Sequence, residues 1–129
     1  MSDTNNELTA IAAAWIAQQH ASEGTKEYED TFWAFQKMVD LCMDDPMIAW
    51  RVILEIATAD QSDVVTENLA AGPLESLLSD HGESFIAIVE DEARRNPVVS
   101  DLLGGVWKGR MSAEVWARVC AIADGTCWN

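Results

Sequence analysis

The segment Pro46–Ala59, PMIAWRVILEIATA, constrains the fold most because it is apolar on nearly every side. Asp45 precedes it as a helix N-cap, and Pro46 suits the first helical position. Its only charged residues, Arg51 and Glu55, are four residues apart and form a helical i, i+4 pair. A helix with so little polar surface has to be covered on most sides. The sequence therefore predicts a central helix with other elements packed around it.

Apolar residues at helical spacing continue on both sides of this segment, and no stretch shows the alternation of a strand. We therefore predict an all-α fold of about seven helices, several of them short. They form either a compact orthogonal bundle or stacked helical hairpins that resemble HEAT repeats. Apart from the central one, the predicted helices cover residues 4–20, 27–43, 64–71, 74–81, 83–96, 97–105 and 113–123.

The length of 129 residues is typical of one domain with one hydrophobic core. Within a single domain over residues 1–129, we distinguish an N-terminal helical hairpin at 4–45 and a second helical region at 46–123. Residues 124–129 are predicted to be a frayed tail unless Trp128 docks onto the domain.

The second predicted helix has two contrasting faces. The face predicted to enter the core carries Tyr28, Phe32, Phe35, Val39 and Cys42. The opposite face is acidic and has Trp33 at its centre. An exposed tryptophan among carboxylates is a plausible contact for a partner. Alternatively, Trp33 packs beneath the first helix or a loop.

The charge of the chain is strongly negative and unevenly distributed. The net charge is −14; residues 1–93 contribute −16 and residues 94–129 contribute +2. Such a field repels nucleic acid phosphates and anionic lipids and attracts basic surfaces. We expect a basic protein partner, no direct nucleic acid binding and no membrane binding. Alternatively, the charge only keeps the protein soluble.

Catalytic and metal-binding motifs are missing from the sequence. It has no GxSxG, P-loop, GxGxxG, HExxH or EF-hand pattern, and only two histidines. Cys42, Cys120 and Cys127 form no CxxC pair, and the first two are expected to be buried, unreactive thiols. We therefore expect no enzymatic activity, no metal and no cofactor. Neither a signal peptide nor a membrane span is evident, which favours a cytoplasmic location.

The stretch AAGPLESLLSDHG, residues 70–82, is predicted to be a corner between short helices. One helix is expected to end at Gly72 in a left-handed C-cap, and Pro73 to begin the next, which ends at Gly82. His81 would then lie in a last helical turn, where its ring can bond terminal carbonyls.

Four stretches, PMIAWRVILEI, LAAGPLESLLSDHGESFI, EDEARRNP and LLGGVW, give residues 46–116 a resemblance to a bacterial family of small helical proteins of unknown function. The resemblance implies no activity and does not reach the first 45 residues. Residues that match its motifs are Trp50, Gly72, Pro73, Leu74, Glu75, Leu78, His81, Gly82 and Trp107. It adds the hypothesis of a pocket formed by Gly72, Pro73, Glu75, His81 and Trp107.

These observations favour a binding protein that inhibits or neutralises a basic partner, as immunity proteins and phage inhibitors do. The predicted contact residues are Glu27, Glu29, Asp30, Trp33, Asp40 and Asp44. One alternative is a nucleic acid mimic that blocks a DNA- or RNA-binding machine. Another is an adaptor that uses a basic, tryptophan-bearing part comprising Trp107, Lys108, Arg110 and Trp116.

Overall fold

Helices make up nearly all of the structure, which is a computed structural model that describes the backbone of residues 2–123 and the side chains of residues 6–123. Its elements are α1 (Ser2–His20), α2 (Lys26–Asp44), α3 (Pro46–Ala59), α4 (Asp63–Leu69), a π-helical turn (Ala70–Leu74), α5 (Glu75–Arg95), α6 (Pro97–Leu103) and α7 (Ala113–Ile122). No strand occurs within residues 2–123, and the all-α prediction is confirmed. The predicted tail, residues 124–129, lies outside the described residues.

Helix α3 is the central element, as its composition predicts. Both of its ends match the prediction, although the Asp45 side chain makes no capping hydrogen bond. It contacts α1, α2, α4, the π turn, α5 and α6. Its buried residues lie on several sides of the helix and are Ala49, Trp50, Val52, Ile53, Ile56 and Ala57. The other helices therefore pack around α3, which is the apolar axis of the fold.

Helices α1 and α2 pack against each other as the predicted N-terminal pair. The turn between them contains Gly24 at φ 86°, a conformation that favours glycine. Thr25 then caps α2, because its hydroxyl accepts the Tyr28 N–H at 3.2 Å. Helix α1 begins at Ser2, two residues before the position that the sequence predicts.

The predicted core face of α2 is wrong by a partial rotation of the helix. Ala34, Met38, Leu41 and Cys42 are the buried residues, whereas Phe35 and Val39 remain 43% and 46% exposed. The buried face is the one that contacts α1 and α3. Ala34, which is fully buried, permits a close helix approach that a phenylalanine would prevent. The side chains of Phe35 and Val39 therefore lie at the edge of the core.

The predicted helix end at Gly72 is also wrong, because α4, the π turn and α5 run on without a break. Gly72 does not have a positive φ, so it is no left-handed cap. Proline inside an α-helix clashes with the carbonyl four residues earlier, and a wider π turn relieves that clash. The Glu75 N–H accordingly donates to the Ala70 carbonyl, five residues back. Glycine before Pro73 removes the Cβ that would crowd the proline ring.

The predicted helix boundary beside Gly82 corresponds to a break in helical geometry. The backbone of α5 is non-helical at His81, where φ is −132° and ψ is 22°, and two helical runs join there across a kink. Gly82 is buried against α7, and a Cβ on it would lie 3.0 Å from Val115 Cγ1. The glycine therefore serves the close packing of two helices, which the local sequence does not reveal.

Helical spacing predicts Phe85, Ile86, Val89 and Ala93 as the inward residues of the second half of α5, and all four are buried. The i, i+4 spacing predicts the ion pairs Glu90–Arg94 and Asp91–Arg95, and the second forms, with Arg95 3.0 Å from Asp91. Glu90 binds Arg118 of α7 instead of Arg94, with the Arg118 Nε donating at 2.9 Å. That hydrogen bond lowers the pKa of Glu90. A partner on another helix thus replaces the one predicted from i, i+4 spacing.

Gly82 and Val115 provide a test of this packing. Gly82→Ala is expected to lower the free energy of unfolding by about 1–2 kcal/mol, because the new methyl group overpacks the contact with Val115. In a Val115→Ala background, Gly82→Ala should raise the free energy of unfolding by about 0.5–1 kcal/mol, because alanine is a better helix former than glycine. Urea unfolding of the four proteins measures both effects. Equal effects in the two backgrounds would contradict the proposed role of Gly82.

Candidate functional site

The six predicted contact residues all lie on α2 and are exposed. They comprise Glu27, Glu29, Asp30, Trp33, Asp40 and Asp44. Trp33 is 47% exposed, so the alternative in which it packs beneath α1 or a loop is wrong. The reason is the rotation of α2, which directs Ala34 and Met38 to the core and leaves Trp33 on the outer side. Asp30 forms a long ion pair with Lys26, at 3.9 Å.

A second exposed feature lies beside this acidic face. Tyr28, Phe32, Phe35, Val39 and Met43, which we call the apolar stripe, follow one another at helical spacing along α2. The rings of its first three members contact one another in sequence: Tyr28 and Phe32 are tilted with centroids 5.9 Å apart, and Phe32 and Phe35 are stacked with centroids 5.4 Å apart. Met43 is 60% exposed. The stripe contains most of the face that the sequence assigns to the core.

The apolar stripe forms one side of a groove whose other side is the π turn. The groove consists of two adjoining depressions of about 390 and 140 Å³ that share Trp15, Phe35, Gly72 and Pro73. Polar side chains border the larger one, namely Gln18, Gln19 and Asn68. Met38, Cys42 and Ser76 line the smaller one. Apolar side chains and neutral polar groups thus line the interior of the groove.

Two groups in the groove have distinctive chemistry. Trp15 is buried, and its indole Nε1 has no hydrogen-bond partner among the described residues. The Cys42 thiol donates a 3.5 Å hydrogen bond to the Pro73 carbonyl. Burial, and secondarily the charge of Asp80, raises the pKa of Cys42 to about 12. Cys42 is therefore the unreactive thiol that the sequence predicts. Cys120, also predicted to be buried, is partly exposed.

The motif residues Glu75 and Trp107 meet through a loop. Glu75 accepts the backbone N–H of Trp107 at 3.1 Å, and Ser79, one turn later on α5, accepts that of Arg110 at 3.3 Å. Between them, Gly109 adopts φ 51°, and a Cβ there would lie 2.9 Å from Ser79 Oγ. Helix α5 therefore holds the loop of residues 104–112 at two points.

His81 makes a separate contact. Its Nε2 donates to the Met43 carbonyl, 3.2 Å away in the last turn of α2, where carbonyls lack helical partners. The ring thus bonds a terminal carbonyl, as the sequence suggests, but on another helix. His81 also borders a depression of about 330 Å³ in which Arg110 pairs with Asp80. The Ser112 hydroxyl, which caps α7, donates to Glu83 there at 2.8 Å.

The five residues of the hypothesised pocket therefore act at three places. Gly72 and Pro73 border the groove, Glu75 and Trp107 fix a loop, and His81 joins α5 to α2. The tryptophans predicted for the adaptor alternative also separate, because Trp107 is 61% exposed whereas Trp116 is buried in the core.

Within residues 2–123, no cluster of three or more histidine, cysteine or acidic residues could hold a metal ion. Over the same residues, no helix is both long enough and apolar enough to cross a membrane.

The sequence alone does not reveal the groove, for two reasons. The apolar stripe is visible as a periodic pattern, but the pattern does not show which neighbours cover it. The opposing side depends on a π turn, and sequence rules for Gly-Pro predict a helix boundary there instead.

Comparison with known proteins gives a match to a family of unknown function (DUF6869), whose sequence model covers residues 21–127. No curated protein matches the chain, and no solved structure does. The match extends beyond the run of residues 46–116 that carries the resemblance. It includes all of α2, and therefore the acidic face and the apolar stripe.

The contact between Glu75 and the Trp107 loop can be tested by mutation. Glu75→Ala should lower the free energy of unfolding by about 1 kcal/mol and increase motion of the loop, because the Trp107 N–H loses its acceptor. Glu75→Gln, which keeps an acceptor oxygen, should have the smaller effect on both. Heteronuclear NOE values for residues 107–110 measure the motion, and Glu29→Ala on α2 controls for the loss of charge. Unchanged NOE values in Glu75→Ala would show that the hydrogen bond does not hold the loop.

Proposed function

Because the chain belongs to DUF6869, a family of unknown function, we propose its function from its surface: it binds a basic partner protein through α2 and inhibits it. The observation that carries this proposal is the exposure of Trp33 in the middle of the acidic face of α2. The protein acts in the cytoplasm, without catalysis and without a cofactor.

Trp33 has the properties of an interface anchor. Tryptophan contributes a large apolar area with few rotatable bonds, and it is enriched among the residues that dominate binding energy. Its exposure in the isolated chain means that this area is covered only when a partner binds. Since the side chain contributes little to the core, its replacement should leave the fold intact.

The carboxylates around Trp33 provide the attraction. Glu27, Glu29, Asp40 and Asp44 are exposed, and the residues 1–93 to which they belong have a net charge of −16. Exposed charges of one sign accelerate the encounter with a partner of the opposite sign, and salt reduces the acceleration over about 8–10 Å. A binder of this kind inhibits when the basic surface that it covers is the working surface of its partner.

A second candidate function is that of an adaptor, and the position of Trp107 favours it. Trp107 is 61% exposed on a loop that Glu75 and Ser79 hold in place, and Lys108 lies next to it in an exposed position. A fixed, exposed tryptophan beside a positive charge is suited to contacting a different, less basic ligand. Trp116 does not take part, because it is buried.

The test is a pull-down from host lysate with wild type and two variants of equal charge. In the first variant Glu29, Asp40 and Asp44 become the corresponding amides on α2. In the control variant Glu67, Asp101 and Glu114, exposed on α4, α6 and α7, become amides. We expect a basic protein to be recovered by the wild type and the control, and recovery to fall at least about tenfold with the α2 variant. Trp33→Ala should reduce recovery further without changing the melting temperature.

The identity and kinetics of the recovered partner then separate the alternatives. A partner whose nucleic acid binding is blocked would favour the nucleic acid mimic. A partner lost only with Trp107→Ala would favour the adaptor. For an inhibitor of the proposed kind, the association rate with the recovered partner falls as salt rises. Equal recovery by the two charge variants, or an association rate independent of salt, would refute binding through the acidic face.

A further inference from the structure

We infer that the groove between the apolar stripe of α2 and the π turn binds an amphipathic helix of the partner, whose apolar side is flanked by lysine or arginine. This inference rests on the proposed function, because it names the structural element by which the basic partner is bound. It concerns a different face of α2 from the one that carries Trp33.

The apolar stripe is a helix face that the described residues of the core leave partly uncovered. Phe35, Val39 and Met43 are 43%, 46% and 60% exposed, and they follow one another along one side of α2. From Tyr28 to Met43 the stripe extends about 22 Å, the length of four helical turns. An apolar helix face of this length and periodicity is the surface to which a second helix docks, with anchors at i, i+4 and i+7 spacing.

The opposite side of the groove is low and accessible. It is formed by Ala71, Gly72 and Pro73, whose side chains are small or absent. Because the π turn has no long side chain directed over the groove at these positions, a helix backbone can approach it closely. Trp15 lines both depressions, and its buried indole N–H is without an acceptor among the described residues.

The charges around the groove determine the kind of helix that fits. At about 100° per residue, Glu29 and Asp40 follow the apolar stripe on its solvent side, and Asp44 continues this border at the end of α2. The polar groups of the opposite side, Gln18, Gln19, Asn68 and Ser76, are neutral. An incoming helix therefore gains from basic residues along one edge of its apolar face.

The same charges argue against two other occupants. In a second copy of the chain, the α2 helices would bring their own carboxylates together, and each copy has a net charge of −14. Like charges that meet across an interface cost several kcal/mol. An anionic lipid surface would be repelled for the same reason. A basic amphipathic helix can cover the apolar stripe with its apolar side and pair its basic residues with the carboxylates of the acidic border.

The experiment uses two synthetic peptides of about 15 residues, a length that matches the stripe. Both contain the same numbers of leucine and lysine; one places its leucines at helical spacing and the other is scrambled. Isothermal titration calorimetry with the full chain measures their affinities. We expect the amphipathic peptide to bind at least about tenfold more tightly than the scrambled peptide, although the two have equal charge.

Two matched variants locate the binding site. Phe35→Gln/Val39→Gln removes an exposed aromatic residue and an exposed valine from the stripe without changing the charge. Trp107→Gln/Val64→Gln removes a similar pair outside the groove. Only the first variant should abolish the difference between the peptides. Circular dichroism verifies that both remain folded. As a measurement independent of mutation, the amphipathic peptide should shift the NMR signals of the wild-type residues Trp15, Phe35 and Gly72.

The outcomes separate the two proposals. If both peptides bind equally, and both weaken with salt and with the amide variant of Glu29, Asp40 and Asp44, the acidic face binds but the groove does not accept a helix. The inference then fails while the proposed function stands. If neither peptide binds, or if the amide variant binds both as tightly as the wild type, both proposals fail. NMR shifts confined to residues outside the groove would also overturn the inference.

Discussion

The burial of α3 is the constraint on which the rest of the structure depends. Its apolar surface occupies most sides of the helix, so several neighbours each have to supply an apolar face. Helix α2 buries Ala34, Met38, Leu41 and Cys42, and the small side chain of Ala34 allows the neighbouring helices to approach closely. Its exposed apolar side chains, Phe35, Val39 and Met43, therefore lie at the border of the core. The exposure of the apolar stripe therefore follows from the way in which α2 covers α3.

Helix α5 connects the remaining parts. Its first turns, at Glu75 and Ser79, hold the loop that displays Trp107. The kink at His81 brings the ring to the end of α2, and the next residue, Gly82, lets α7 approach closely. Three motif residues of the resemblance, Glu75, His81 and Gly82, thus lie on this helix and make structural contacts. Nothing in their contacts requires a shared catalytic pocket.

The acidic face and the apolar stripe lie next to each other on α2, and either one alone would be a weak basis for selecting a partner. An acidic surface alone attracts any basic molecule weakly, and an apolar groove alone selects little beyond shape. In the function that we propose, the carboxylates would increase the rate of encounter and the groove would provide contacts that slow dissociation. A partner with both features would then be distinguished from partners that have only one.

The sequence by itself determined what depends on neighbouring residues. Pro46 and Pro97 predicted the first residues of α3 and α6, and the apolar periodicity predicted the extents of α3 and α7 close to those observed. The acidic face with Trp33 was likewise evident from helical periodicity. The tertiary structure alone decided which apolar face of α2 is covered, whether Gly-Pro ends a helix and which partner Glu90 takes. These choices depend on helices distant in sequence, whose packing outweighs local preferences of a fraction of a kcal/mol per residue.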